Sequence, residues 1–281
     1  MGCFISRQIR RDSPSAYEKI LRLVRMKLLD FFHVLGSNLG AITHWRTRGH
    51  EGPDRSYRDF ALPMLSSRNI ARESFPQFCE GKSYEKRATA SEISYKGNIG
   101  IDGNYGCNLM LVQKHLAPLY DYTVTFTNGA GSAQRCVCWL KIGPHEGING
   151  FFQGNQVLEF SLPSHGRQIL AIDTDSQGGC ACGNSRVPVT KYGQFASTWL
   201  EFDIANAANG GWSGADASCL VSAFYGLDIP GLQVCSHNVC STVNPGGTGT
   251  NAYIGGMENE DGIGLNIPPG QVRLVVTVGN Y

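Results

Sequence analysis

VRLVVTV, residues Val272–Val278, is the stretch that decides the fold of this chain. Every second side chain in it is apolar, at Val272, Leu274, Val276 and Val278. Arg273, Val275 and Thr277 fall on the other face, so the period of 2 predicts a β-strand with one buried and one wetter side. Burial of the four apolar side chains contributes about 1.5–3 kcal/mol each before entropy is subtracted. The strand is therefore expected at the centre of the core.

Similar short runs lie between glycine turns upstream. Tyr122–Phe126 alternates in the same way and is followed by Asn128-Gly129, a turn signal. Further candidate strands are Cys136–Ile142, Gln156–Leu162, Gln168–Asp173, Trp199–Ile204 and Gly231–Cys235. Many short strands without helical runs between them predict an all-β fold, an antiparallel β-sandwich.

The dibasic pair Lys86-Arg87 marks a change in composition. Eight of the ten cysteines and most of the 35 glycines follow it, whereas a basic, irregular segment precedes it. This pattern predicts a leader or pro-segment over residues 1–87, with one short helix near residues 16–35, and a β-sandwich domain over residues 88–281. The alternative is a chance dipeptide in a chain with 24 lysines and arginines.

The cysteines predict an oxidising compartment. Eight after residue 87 allow up to four disulfides, which are typical of secreted, extracellular or cell-wall proteins. Cys235 and Cys240 are separated by four residues and are expected to be bridged. Cys136/Cys138 and Cys180/Cys182 have one-residue gaps that do not fit zinc knuckles, so no metal is expected.

The N-terminus offers a competing interpretation. Met1–Ser6 matches a myristoylation pattern, with Cys3 available for palmitate, and would indicate a lipid-anchored intracellular protein. Such an anchor conflicts with a disulfide-rich domain. No stretch approaches 18 apolar residues, so no membrane span is expected.

Charge and motifs exclude several classes of partner. The formal net charge is +1 and 17 % of the residues are charged, and the sequence contains no basic stripe that would indicate nucleic-acid binding. No phosphate-binding glycine motif occurs, so no nucleotide cofactor is expected. Asp173–Gly178 resembles the start of a calcium loop, but Asn184 stands where the twelfth-position Glu is needed. We interpret it as a turn with self-bonding Asp and Ser side chains.

The best candidate for chemistry is Trp199–Ile204. On a strand, Trp199, Glu201 and Asp203 point away from the core-facing side chains. A ring beside carboxylates suits carbohydrate, because the ring packs on a sugar and the carboxylates accept hydroxyl hydrogen bonds. The two acids are about 6.5–7 Å apart along the strand, at the lower edge of the inverting-glycosidase separation of about 6.5–9.5 Å. An ordinary solvated strand face is the alternative.

Two downstream residues extend this candidate site. Trp212 lies in the glycine-rich segment Asn209–Gly214 and is either a lid on the core or an exposed platform. Asp216 follows it and joins Glu201 and Asp203 if the loop folds back over their strand.

The order of several motifs resembles one family, the major allergen Asp f four-like family of secreted fungal proteins. The motifs are Tyr95–Gly100, Lys141–Pro144, Gly147–Gly150, Asp175–Gly178, Glu201–Asp203, Gly211–Gly214, Val234-Cys235, Cys240-Ser241, Pro269-Gly270 and Arg273–Val276. The resemblance covers roughly residues 93–281 and implies a secreted, wall-associated antigen. The chain departs from the family at Trp139-Leu140, where the members carry Trp-Asn, and in its additional cysteines.

A second similarity is to thaumatin-like proteins, whose acidic cleft binds β-glucan. Three segments resemble the central strands of these proteins: Leu200–Phe202, Asp216–Ser218 and Leu227–Pro230. Glu201 and Asp216 fall on cleft acids, whereas the next expected acid meets Ser222-Ala223. The resemblance implies a thaumatin-like or jelly-roll-like sandwich and glucan contact.

The leading functional hypothesis is a secreted, non-catalytic fungal protein. Its ligand-binding residues would be Trp199, Glu201, Asp203, Trp212 and Asp216, and its partners β-glucan or other wall polysaccharide and host proteins including antibodies. The alternative is a β-glucan-active glycoside hydrolase that uses Glu201 with Asp203 or Asp216.

Overall fold

The structure is a computed structural model that describes residues 75–79 and 97–279. The predicted processing pair Lys86-Arg87, the predicted helix near residues 16–35 and the Met1–Ser6 motif lie outside the described residues.

The described residues form fifteen strands and one α-helix, with two short 3₁₀ turns. The strands are β1 (Gly100–Ile101), β2 (Asn104–Tyr105), β3 (Leu109–Val112), β4 (Tyr122–Asn128), β5 (Gln134–Leu140), β6 (Leu158–Leu162), β7 (Arg167–Ile172), β8 (Ser176–Asn184), β9 (Trp199–Asn206), β10 (Trp212–Ser218), β11 (Leu232–Ser236), β12 (Val239–Val243), β13 (Gly249–Thr250), β14 (Leu265–Ile267) and β15 (Val272–Val278). The helix α1 spans Leu220–Tyr225, and the 3₁₀ turns span Ala117–Leu119 and Ala207–Asn209.

Two large sheets confirm the predicted all-β sandwich. The six-stranded sheet has the order β14-β10-β9-β8-β5-β6, and the seven-stranded sheet has the order β13-β12-β11-β15-β4-β7-β3. The strand pairs are antiparallel except β15 with β4, which run parallel over their full length. β1 and β2 form a separate hairpin.

The sandwich core lies between the sheets and includes the predicted face of β15. Val272, Leu274 and Val276 are at most 1 % exposed, whereas Val275 on the other face is 50 % exposed. Leu200, Phe202 and Ile204 of β9 meet these side chains from the six-stranded sheet within the same cluster. The inner faces predicted from the alternation in β9 and β15 are therefore confirmed.

A second apolar cluster, which we call the outer cluster, covers part of the outer face of the six-stranded sheet. Its buried members are Val137, Trp139, Ile142, Ile148, Phe151, Ala181, Val187, Phe195, Trp199 and Val221. Segments that follow β5 and β8, together with α1, fold over the sheet to supply the members that the strands do not. This covering decides how much of the candidate site reaches solvent.

Four disulfides join cysteines within the described residues. Cys136–Cys182 and Cys138–Cys180 join β5 to β8 at directly opposed positions, and Cys235–Cys240 joins β11 to β12 as the short loop predicts. The fourth bond is between Cys79 and Cys107. Seven of the eight cysteines after residue 87 are therefore in disulfides, as an oxidising compartment predicts; Cys107 bonds to an upstream cysteine, and buried Cys219 is a free thiol.

Candidate functional site

Antiparallel pairing brings the three predicted acids onto one face. Glu201 on β9 lies directly opposite Asp216 on β10, and Asp203 lies opposite Gly214. Asp216 thus joins the other two acids through strand pairing and not through a loop that folds back. Glu201 and Asp203 are partly exposed, whereas Asp216 is only 3 % exposed. We call Glu201, Asp203 and Asp216 the acidic row.

Trp199 does not share this exposure. Its ring is 4 % exposed and belongs to the outer cluster. It meets Trp139 edge to face at 5.0 Å between ring centroids and Phe151 at 5.6 Å. The prediction of an open Trp199 platform beside the acids is therefore wrong, because loop residues cover the ring.

Asp203 is surrounded by polar groups held by neighbouring strands. Lys141, which follows β5 and is 1 % exposed, donates from Nζ to Oε1 of Gln177 at 2.9 Å. Gln177 lies opposite Asp203 in the pairing of β8 with β9. Asn206 donates from Nδ2 to Oδ2 of Asp203 at 2.6 Å. These contacts fix the position of the carboxylate at the edge of the acidic row.

Burial shifts the pKa values of Asp203 and Lys141. Desolvation raises the pKa of Asp203 to about 6, and hydrogen bonding with Asn206 and Gln177 and the charge of Lys141 offset part of the rise. Desolvation lowers the pKa of Lys141 to about 8, and Asp203 opposes that shift. A carboxyl group with this raised pKa holds a proton under mildly acidic conditions.

Tyr253 and Gly264 enclose the inner end of the acidic row. Burial raises the pKa of the Tyr253 phenol, and the charges of Asp216, Glu201 and Asp261 add to the rise. A Cβ on Gly264, which has φ +115, would come within 2.7 Å of the Asp216 Cβ. Glycine is therefore required where the chain crosses the buried carboxylate.

The loop between β7 and β8 borders the same site. Thr174 N donates to Oδ1 of Asp173, and the Ser176 hydroxyl donates to the Thr174 carbonyl. The predicted self-bonded turn is thus confirmed. Asp175 accepts from the Ala207 amide at 2.8 Å and raises the pKa of Asp203 by charge repulsion.

The exposure of the aromatic residues differs from that predicted. Trp212 begins β10 and is partly exposed, so it is neither a fully buried lid nor a loop residue. Tyr192 and Phe224 are 41 % and 39 % exposed, and both rings contact Tyr225. No sequence pattern predicts this aromatic patch, because Tyr192 is in a loop and the other two residues come from a six-residue helix.

The arrangement can accept hydrogen bonds and exchange a proton. Within residues 75–79 and 97–279, no group of three or more His, Cys, Asp or Glu residues is arranged to hold a metal ion. None of the helices in these ranges is long and apolar enough to cross a membrane.

Comparison with known proteins identifies the family. The family model of the Allergen Asp f 4-like domain matches residues 107–278. Allergen Asp f 4 of Aspergillus fumigatus is 32 % identical over 208 residues, which cover 72 % of this chain and 63 % of that protein, so the match spans less than two thirds of the relative. The crystal structure of the protein elicitor MoHrip2 from Magnaporthe oryzae aligns with a TM-score of 0.30 and 7 % identity, over 56 % of this chain and 98 % of that one. From the family match and the identity to the allergen, and in agreement with the motifs, the chain belongs to the Allergen Asp f 4-like domain family.

Proposed function

We propose that this allergen-type protein is secreted and contacts wall polysaccharide such as β-glucan, without catalysis, through the acidic row. The observation that carries the proposal is that Glu201 is partly exposed on this face, with Asp203 two residues along the same strand and Asp216 opposite Glu201 on the next strand. A partly exposed carboxylate such as that of Glu201 accepts hydrogen bonds from sugar hydroxyls, and the two more buried acids add negative charge beside it.

The surroundings support a rigid binding surface. Asp203 and its hydrogen-bond partner Asn206 both lie on β9, and Gln177 lies opposite Asp203 on β8, so the carboxylate is held on strands, which limits the entropy lost when a ligand binds. Trp212, also on a strand, is the predicted aromatic residue that still reaches solvent and could pack on a sugar ring.

Secretion is supported by the four disulfides, since such bonds persist in oxidising compartments. Processing after Lys86-Arg87 remains part of the proposal. The relative carries the designation allergen, which supports host antibodies as a second class of partner.

Glucan hydrolysis is a second candidate, favoured by the cross-strand pair. Directly opposed residues have Cβ atoms about 4.5–5.5 Å apart, close to the carboxyl separation of about 5–5.5 Å in retaining glycosidases. A pKa near 6 would also suit Asp203 as a general acid. The burial of Asp216 favours binding over hydrolysis, because a nucleophile must reach the sugar.

Retention on insoluble β-glucan tests the proposal. Glu201→Gln keeps the shape but removes the charge, and we expect at least about a tenfold loss of affinity, because hydrogen bonds to charged groups are worth about 1.5–3 kcal/mol. Glu159→Gln is the matched control, because Glu159 lies on the same face of the same sheet, on the edge strand β6, where it pairs with exposed Arg135. Equal retention of both variants and wild type would contradict the proposal. Release of reducing sugar by wild type and its loss in Glu201→Gln would establish hydrolysis instead.

A further inference from the structure

A short segment far upstream of the matched family domain is bonded to it. Residues Phe75–Cys79, which we call the strap, lie before residue 107, where the family match begins. Cys79 forms a disulfide with Cys107, and Cys79 is 6 % exposed. The strap is therefore fixed covalently to the start of the β-sandwich.

Noncovalent contacts hold the strap at a second point. The rings of Phe75 and Phe78 meet Tyr120 at 5.4 Å and 5.5 Å between centroids, both edge to face. The Tyr120 hydroxyl donates to the carbonyl of Pro76 at 2.6 Å. Tyr120 is buried, and its backbone carbonyl also accepts from Arg273 of β15. The strap thus packs on a residue that is tied to the central strand.

The surface beneath the strap is apolar and separate from the sandwich core. Its buried members are Val112, Tyr120 and Ala171, and the partly buried side chains around them are Phe75, Phe78, Met110, Leu116 and Ile169. Val112 and Ala171 belong to β3 and β7, at one edge of the seven-stranded sheet. Removal of such apolar surface from water is favourable, and the strap buries part of it.

The dibasic pair Lys86-Arg87 lies between the two bridged cysteines in the sequence. Hydrolysis of the peptide bond between Arg87 and Ala88 consumes one water and leaves a carboxylate on Arg87 and an amine on Ala88. It breaks no disulfide and needs no oxidant or reductant.

We propose that the strap is a permanent part of the folded protein, so that cleavage after Arg87 yields two chains that stay joined through Cys79–Cys107. This inference extends the proposed secretion and processing, and it rests on them only for the position of the cleavage. The partner of the apolar patch is the protein's own upstream chain, and the cut does not release that chain from the surface.

Mass analysis of the cut full-length protein tests the two-chain state. Purified full-length protein is treated with a protease that cuts after Lys-Arg, and unreduced and reduced samples are compared. We expect one unreduced species that gains the mass of one water, and two chains after reduction. A free upstream chain without reductant would overturn the proposal. Lys86→Ala with Arg87→Ala is the control that should remain uncut at this site.

Two further measurements test whether the strap stays docked and whether the disulfide links it, independently of natural processing. Amide hydrogen exchange at Val112, Tyr120 and Ala171 should be equally slow before and after the cut, and faster exchange after it would contradict a strap that stays docked. In Cys79→Ser with Cys107→Ser, the same cut should let the upstream chain elute separately; co-elution would show that the disulfide is not the link. Absence of a cut in protein from a secreting host would refute natural processing alone.

Discussion

Trp199 lies on the same strand as core residues but is buried on the opposite face of the sheet. Phe151 and Trp139 enclose its ring, so its removal leaves a cavity in the outer cluster. We predict that Trp199→Ala lowers the free energy of unfolding by about 3–5 kcal/mol, the usual cost for a buried aromatic residue. Urea denaturation measures this loss.

Trp212→Ala is the matched control, because Trp212 is partly exposed on the neighbouring strand. Its loss of stability should be clearly smaller. Equal losses in the two variants would contradict the placement of Trp199. Alternation along β9 could not predict this burial, because Phe151 and Phe195 come from segments whose path over the sheet has no local sequence signal.

Titration of Asp203 makes the free energy of unfolding depend on pH. Its folded-state pKa of about 6 exceeds the ordinary aspartate value of 3.8, so between these pH values the folded protein holds a proton that the unfolded chain has lost. The free energy of unfolding should therefore fall as pH rises from about 4 to about 6. Two pKa units correspond to at most about 3 kcal/mol, and partial exposure reduces the expected change to about 1–2 kcal/mol.

Chemical denaturation at several pH values checks this slope. Asp203→Asn cannot titrate, so its curve should be flatter than that of wild type by about the same 1–2 kcal/mol. Lys141, with its lowered pKa of about 8, acts at higher pH and does not overlap this window. Parallel curves for wild type and variant between pH 4 and 6 would contradict the raised pKa of Asp203.

At the scale of elements, β15 offers a matched pair of positions. Val276 is fully buried and Val275, its neighbour, is 50 % exposed. Val276→Asp places an uncompensated charge in the core, at a cost of several kcal/mol, which is comparable to total stabilities of about 5–15 kcal/mol. We predict that this variant fails to fold or to be secreted, whereas Val275→Asp loses about 1 kcal/mol. Circular dichroism and secreted yield report both outcomes, and similar yields would contradict the assigned faces.

The strands that sequence could predict are those with alternating apolar side chains, such as β4 and β15. Two central strands of the six-stranded sheet, β8 and β10, were missed because glycine, alanine and serine dominate them. Their composition follows from close packing: a Cβ on Gly179 would lie 3.0 Å from the Trp139 ring, and one on Gly178 would lie 2.1 Å from the Trp139 carbonyl oxygen. Such requirements come from the partner strand, which local propensity does not contain.

The candidate site was predictable to a similar extent. Glu201 and Asp203 share a face because they are two residues apart on a strand. The pairing of Glu201 with Asp216 required β10, and the roles of Lys141 and Gln177 required the register of β8. No local pattern marks a lysine that follows a strand as the neighbour of a carboxylate 62 residues later.

At the scale of the whole molecule, the disulfides define one covalent framework with a single buried thiol among the described cysteines. Burial raises the pKa of Cys219 to about 11, so the reactive thiolate is scarce at neutral pH. We predict that a thiol reagent leaves Cys219 unlabelled in the native protein and labels it after denaturation without reductant. Peptide mapping identifies the labelled residue, and a native thiol at Cys79 or Cys107 would contradict the strap.

Polysaccharide contact at the acidic row is the central functional claim, and one measurement locates it directly. Backbone amide resonances of the folded protein are followed by NMR while a soluble β-glucan oligosaccharide is added. We predict saturable shifts centred on Glu201, Asp203 and the opposing residues Gly214 and Asp216, and no comparable shifts on the outer face of β15. Absence of shifts at saturating oligosaccharide, or shifts centred on Arg273–Thr277, would contradict it.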